Sequence, residues 1–466
     1  MKDRFEVVVV GSGAGGGVVA GELAQRGRDV LLLETGPHLT AADFSRWEAK
    51  ATHEMWWPIR FAHLPDGDVV AFLAGRCVGG TTTINTKVAL RAHEQDVAKW
   101  HEATGLTSDG GTPFARSDLD PYYDRVEQVL GVRERSDWQK CVRTVAAGFE
   151  KLGYELEPVT SYTDGNCMHC GSCLQGCPTN AGKSTGNTYI ADAWARGLLE
   201  LRADSAVDRV LLDGDRASGV EYTDASGSHT VRADTVVVAG GALSTPQILR
   251  RSGLDSPAIG GNLGLHPVRL VYGLFDEPQD AHMTYPISSH CMAFQLDEDG
   301  GFVIEASTIQ DPISFATTLR DEDGPMWGPR LTEAVGKFRH WIGMLAMVND
   351  ENNGTVVLDE DGQERFEVAF NAQEQKRIDD SFEFSRGVLE AAGATKVCWT
   401  GLASTHVQGS CRMGDDPERS AVDRNGQVHG VEGLYVGDGS LVPRTMSVNP
   451  SLTIMALATR LAEHLS

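Results

Sequence analysis

The chain opens on a nearly unbroken apolar run, Phe5-Glu6-Val7-Val8-Val9-Val10, whose β-branched residues predict a strand buried on both faces, as in a parallel sheet. Val18 to Gln25 (VVAGELAQ) then reads as a helix, and Asp29 to Leu33 (DVLLL) as a second strand. The order of strand, glycine turn and helix start returns at Thr235 to Leu249. Gly433 to Ser440 reads as a further strand ending in Gly-Asp, and Asn449-Pro450 opens a last helix. Asp118 to Asp124 starts a helix that runs through Val129, and Leu201 to Tyr222 reads as a β meander. Between 266 and 400 the pattern changes, because Arg269 to Leu274 and Glu367 to Phe370 alternate as in an antiparallel sheet accompanied by helices. The loop at 276 to 286 and the acidic, glycine-containing stretch at 320 to 330 are candidate lids or disordered turns. These patterns predict an α/β protein: a Rossmann-like domain assembled from separated segments, plus a second domain with a mainly antiparallel β-sheet covered by helices.

Between the first strand and the first helix lies Gly11-Ser12-Gly13-Ala14-Gly15-Gly16, a G-x-G-x-x-G in the context that a dinucleotide fold requires. Gly11 permits the tight turn, Gly13 lets a pyrophosphate approach the backbone, and Gly16 lets helix and strand pack closely. Around Ala14 and Gly15 the helix N-terminus offers unpaired N–H groups to the phosphates. Glu34 ends the second strand, where its carboxylate can accept hydrogen bonds from both ribose hydroxyls and disfavours a 2'-phosphate. These features allow NAD as well as FAD.

Further segments favour FAD. Gly75 to Asn85 is a second glycine-rich loop, carrying Gly79, Gly80, Thr81 and Asn85, suited to lie flat against an isoalloxazine. The strand, glycine turn and helix start at Thr235 to Leu249 also belongs to this set. Asp438, followed by Gly439, can bind a ribityl hydroxyl, and the helix behind Asn449-Pro450 can stabilise an anionic reduced flavin with its N-terminal dipole. The candidate chemistry rests on His406, a base able to take an alcohol proton, and on Asn449, 43 residues later, an amide able to hold the alcohol oxygen. Each also has a plainer reading, since an isolated histidine is often structural and Asn449 before Pro450 can serve as a helix cap.

On these motifs the chain resembles the glucose-methanol-choline (GMC) oxidoreductase family. Residues 75 to 98 fit the family's first signature; Gly241 to Leu254 fit the second, apart from Asp255, which stands where the family has glycine. The block from His406 to Ala458 is similar as well, including the interval between its two site positions. The resemblance implies FAD as cofactor and oxidation of a small-molecule alcohol to a carbonyl by hydride transfer to flavin N5, with His406 as base. It also implies that the backbone at Val207 contacts adenine. The implied domains are an FAD-binding part from 1–50, 70–100, 185–265 and 400–466, a connecting segment 101–184, and a substrate-binding part 266–399. The family also contains O2-using oxidases and lyases that hold FAD without redox use, so both remain alternatives, and the substrate is not readable from 266 to 400.

The connecting segment holds Cys167, Cys170, Cys173 and Cys177 as C-x2-C-x2-C-x3-C-P, the spacing of a bacterial ferredoxin. The expectation is an iron–sulfur cluster (4Fe-4S or 3Fe-4S) passing electrons singly to an external acceptor; zinc and free or disulfide-bonded cysteines are the alternatives. Ala181-Gly182-Lys183-Ser184-Thr185 only imitates a phosphate-binding loop, because the required first glycine falls on Cys177. With 41 basic and 65 acidic residues the net charge of −24 argues against nucleic acid or an anionic membrane surface as partner. No stretch approaches the length of a membrane span and no targeting segment is visible, so a cytoplasmic location is expected.

Overall fold

The computed structural model describes residues 2–65, 67–308 and 311–466. Its first sheet grows outward from the strand Arg4–Val10, whose Val7 to Val10 are all buried. Val30–Leu33 pairs parallel on one side and Gly227–Val238 parallel on the other. Leu199–Arg202 extends the sheet beyond Val30–Leu33, and Leu434–Val436 pairs parallel with the end of Gly227–Val238. The earlier half of Gly227–Val238 instead pairs antiparallel with Arg216–Asp224, which pairs with Ala206–Asp213. The predicted meander is therefore divided. Its first residues form a parallel edge of the dinucleotide sheet, and only 206 onward makes the antiparallel ribbon. Helices Gly16–Gln25 and Ser451–His464 pack on each other against this sheet, burying Val18, Val19, Leu23, Leu457 and Leu461 in one apolar core.

The second sheet runs, in part, Arg60–His63, Val69–Phe72, Leu402–Ser404, Val268–Leu274, Trp341–Val348, Phe302–Thr308, Ser289–Cys291. Helices Lys140–Lys151 and Ala372–Ala392 cover one face. The latter helix is fixed at its start by a capping box, in which Asn371 Oδ1 accepts from the Glu374 N–H (2.9 Å) and Glu374 accepts from the Asn371 N–H (2.7 Å). Side chains alternate across a strand. Phe302, Ile304 and Ala306 accordingly enter the core with Phe149, Val388 and Leu389, while Val303 packs with Val268 and Met347 on the opposite face. Glu305 follows Val303 onto that opposite face.

Two strands depart from the expected segment limits. Val69–Phe72 and Leu402–Ser404 pair with each other in the second sheet, so the segments starting at 70 and 400 each lend it a strand. Both are short, and what fixes them is backbone pairing across more than 300 positions, which no local pattern encodes. The 320 to 330 stretch is ordered as the pair Arg320–Asp321 with Gly324–Pro325, followed by the helix Gly328–Gly336. Among the described residues no helix is long and apolar enough to cross a membrane.

Candidate active site

A cavity of about 1160 Å³ lies between the two sheets. That exceeds the ~300–1,000 Å³ of ordinary small-ligand pockets, as a dinucleotide site continuous with a substrate site requires. One end is the first glycine loop. Gly11, Gly13, Ala14 and Gly15 line the cavity, with Glu34 and Val207 beside them. Gly16 does not reach it and serves packing instead, since a Cβ there would lie 2.0 Å from the Gly11 carbonyl oxygen. Gly13 is the informative position: a Cβ there would meet no protein atom within 4 Å. The chain leaves open space exactly beside the backbone N–H groups at the start of Gly16–Gln25, which suits a pyrophosphate.

Two acids read as ribose and ribityl ligands turn out to be engaged by protein. Glu34 accepts from the Ser12 N–H (3.0 Å) and hydroxyl (2.5 Å) at one oxygen and from the Gly36 N–H (2.9 Å) at the other. Burial raises its pKa, and the remaining acceptor capacity is on Oε1. Asp438 is fuller still. It takes the Gly241 N–H (2.7 Å) and Thr245 hydroxyl (2.5 Å) on Oδ2, and the Ser440 N–H (2.8 Å) and hydroxyl (2.5 Å) on Oδ1. A carboxylate has about four acceptor sites. Asp438 therefore ties its own loop to the glycine turn at 241–245 on the cavity wall, and its carboxylate has no capacity left for a ribityl hydroxyl; its neighbour Gly439 also lines the cavity.

The second glycine loop brings Gly80, Thr81 and Asn85 to the cavity. Gly79 stays behind them in a left-handed turn (φ +90°), its N–H donating to Ser12 Oγ at 3.0 Å and so joining the two glycine loops. Cys77 of this loop and His93 beyond it do not line the cavity: burial pushes the Cys77 thiol up to about 12, and His93 caps the helix Glu94–Thr104. Trp56 and Trp57 do line it, whereas Trp341 is core and Trp327 is exposed.

Beyond the glycine loops the wall carries His406, Asn449 and Pro450, so the two residues separated by 43 positions meet one cavity. Asn449 is not a helix cap. Ser451–His464 has no side-chain capping hydrogen bond, and Asn449 Oδ1 is buried without a partner. His406 is held by a second histidine, His266, that no sequence motif marks. Its Nδ1 lies 3.3 Å from Nδ1 of His266, with the rings edge to face at 75°. His266 Nε2 is hydrogen-bonded to the Met446 carbonyl, which can only accept, so the proton of the neutral His266 ring sits on Nε2. His266 Nδ1 is then an acceptor and His406 Nδ1 the donor. Nε2 of His406 is left as the nitrogen with a free lone pair. Burial keeps both rings neutral, pulling His406 down to about 3, with the neighbouring His266 adding to it, and His266 to about 4. His266 itself is set in a left-handed conformation (φ +48°), its N–H and that of Leu265 bound by Asp350 (3.2 and 2.9 Å). No spacing in the sequence links 266 to 406.

Glu305 is the other cavity residue that sequence reasoning missed. The available signal was a single acid in the apolar strand Phe302–Thr308. By contrast His340 and His429 are occupied away from the cavity, by the Phe275 carbonyl (3.1 Å) and Ser420 Oγ (3.0 Å).

The expected iron–sulfur cluster finds no support at the cysteine run. Among the described residues no group of three or more His, Cys, Asp or Glu side chains is arranged to hold a metal ion, and this includes Cys167, Cys170, Cys173 and Cys177. All nine cysteines are free thiols. Cys177 Sγ instead accepts the Gly182 N–H at 3.2 Å and lies 3.5 Å from Thr179 Oγ1, while desolvation pushes the Cys173 thiol up to about 12. The four thiols remain within electrostatic reach of one another, Cys173 interacting with Cys167, Cys170 and Cys177, but their side chains are not arranged as a ligand set.

Comparison with known proteins follows the same lines. A family model for GMC oxidoreductase matches residues 5–268, and a second with that description matches 363–458. Long-chain-alcohol oxidase FAO4B of Arabidopsis thaliana is 29% identical over 524 residues, covering 98% of this chain and 66% of the relative; the chain thus spans about two thirds of that protein's length. An uncharacterized GMC-type oxidoreductase of Mycobacterium tuberculosis (strain ATCC 25618 / H37Rv) is 31% identical, covering 99% of this chain and 75% of the relative. Among solved structures, pyridoxine 4-oxidase from Mesorbium loti superposes with a TM-score of 0.76 at 19% identity, covering 99% of both chains, a likeness of fold.

Proposed function

Since the chain belongs to the GMC oxidoreductase family, we propose that it is an FAD-dependent enzyme that oxidises an alcohol CH–OH group to a carbonyl. The observation that carries this reading is the convergence of His406, with a free Nε2 lone pair, and Asn449 on the wall of the cavity that begins at the Gly11 to Gly15 loop. FAD supplies the hydride acceptor when bound. Gly13, Ala14 and Gly15 would hold its pyrophosphate, Glu34 Oε1 a ribose hydroxyl, the backbone at Val207 the adenine, and Gly80, Thr81 and Asn85 its ring system. His406 Nε2 takes the hydroxyl proton, and its burial ensures that the ring is in base form across the physiological range. His266 fixes the tautomer that makes this nitrogen available. Asn449 donates an amide N–H to the alcohol oxygen and so aligns the carbinol carbon. Anaerobic mixing of the FAD-loaded protein with primary alcohols of increasing chain length tests the reading. Bleaching of the flavin by an alcohol is expected, whereas a lyase would leave the flavin oxidised with every substrate.

For the electron acceptor, O2 is the better-supported reading. The curated relatives include alcohol oxidases, and the thiols that would carry a one-electron relay are not gathered into a ligand set. Turnover in air is therefore expected to release peroxide in step with the carbonyl product, from protein with only trace iron. Stoichiometric iron and acid-labile sulfide, with little peroxide, would instead restore a cluster on Cys167, Cys170, Cys173 and Cys177 and an external acceptor.

A further inference from the structure

Glu305 faces the cavity with a charge that no cation around it balances. The residue is buried, and neither carboxyl oxygen has a hydrogen-bond partner. Its register partners are Leu345 on one neighbouring strand and His290 on the other. His290 offers no positive charge, because burial holds it neutral with a pKa of about 4, as it does His266 and His406. Arg377 of the helix behind the sheet serves Asp297 (3.2 Å) and Glu351 (3.1 Å). The cavity's arginines are taken as well, Arg60 by Glu364 (2.8 Å), Arg251 by Asp208 (3.3 Å) and Arg320 by Asp68 (3.3 Å). A buried carboxylate without cation or donor is strongly disfavoured against its neutral form. Burial accordingly raises the Glu305 pKa to about 7, offset in part by the adjacent Asn449 amide.

The same place contains a second unsatisfied atom. Asn449 Oδ1 is buried and without a partner, while the amide NH2 is the end turned to Glu305; a half-turn of the amide exchanges the two and brings Oδ1 to the carboxyl. Two acceptors cannot satisfy one another; an acceptor and a carboxylic acid can. We propose that Glu305 is a positioning residue for Asn449: its protonated carboxyl donates to Asn449 Oδ1, so that the Asn449 NH2 is held toward the cavity and the alcohol oxygen. This rests on the role given above to Asn449. When Glu305 ionises, its oxygens compete for the amide NH2 and turn Oδ1 toward the substrate, where an acceptor would oppose the alcohol oxygen. Above the titration of Glu305 the rate of flavin reduction then falls about tenfold per pH unit, as for any step that needs one protonated group.

The decisive measurement needs no substrate. pH-difference infrared spectra of the FAD-loaded protein, recorded between pH 5.5 and 8.5 for wild type, Glu305→Gln and Asn449→Ala, isolate the Glu305 carboxyl from other buried acids. The expected result is a protonated-carboxyl band that disappears through the neutral range in wild type, is missing in Glu305→Gln, and is displaced in Asn449→Ala because its acceptor is gone. Identical spectra for wild type and Glu305→Gln, or a band that Asn449→Ala leaves unmoved, would overturn the proposal. Flavin reduction by the best alcohol of the chain-length series separates the two readings. Glu305→Gln, which keeps a neutral donor, is expected to reduce within about threefold of wild type at pH 6 and to lack the decline at higher pH. Unimpaired reduction by Asn449→Ala would count against the alcohol-binding role itself, whereas slow reduction by Asn449→Ala with an unchanged pH profile in Glu305→Gln would defeat only the positioning role.

Discussion

Replacing His406 by alanine is expected to slow reduction of bound flavin by alcohol by roughly 10²- to 10⁴-fold, the usual worth of a positioned general base. FAD content and thermal stability should stay near wild type, because His406 contributes one long hydrogen bond, to His266, and lies on the cavity wall rather than in a packed core. Stopped-flow reduction under anaerobic conditions reads the effect, and a variant that is reduced at the wild-type rate would remove His406 from the reaction. Substituting phenylalanine for His266 should do less. It keeps an aromatic ring, though a larger one, and deletes the acceptor that fixes His406 in its Nδ1–H form, a single hydrogen bond of about 1 kcal/mol, or roughly fivefold in rate. An effect as large as that of His406→Ala would mean that His266 has a more direct role than fixing a tautomer.

The second large effect concerns two glycines of the same loop that should fail in opposite ways. At Gly15 a Cβ would sit 1.8 Å from the Gly437 carbonyl oxygen and 2.8 Å from Asp438 Cα, both backbone atoms at the join of two parallel segments. Gly15→Ala is therefore expected to destabilise the protein by more than about 3 kcal/mol, seen as a lowered melting temperature with or without added FAD. At Gly13 the added methyl meets only open cavity. Gly13→Ala should fold and melt like the wild-type apoprotein yet bind FAD at least about tenfold more weakly, ~1.4 kcal/mol, because the methyl occupies space that the pyrophosphate needs. Full FAD content in Gly13→Ala would mean that the pyrophosphate lies elsewhere.

Local sequence was enough for the dinucleotide half. Val7 to Val10 alternate with nothing because both faces of their strand are buried, and the glycines follow at once because only they fit where strand, helix and phosphate crowd together. These signals lie within a few residues of one another, so they survive without knowledge of the fold. His406 and Asn449 were legible for a related reason, each being embedded in a recognisable stretch of its own chain segment.

Only the tertiary structure could decide what each polar group has left to give. Asp438 and Glu34 look alike in sequence, as acids ending strands, but Asp438 is saturated by the 241–245 turn and its own loop while Glu34 keeps acceptor capacity. His266 looks like any histidine until its ring meets His406 across 140 positions of chain. Glu305 is one acid in an apolar strand until Asn449 arrives beside it from the C-terminal block. The cysteine run shows the converse: an ideal spacing specifies only how a loop could wrap, and here it keeps the four thiols near one another without arranging them as a ligand set. Spacing along the chain fixes local geometry, whereas hydrogen-bond capacity, charge and pKa depend on partners that folding brings from far away.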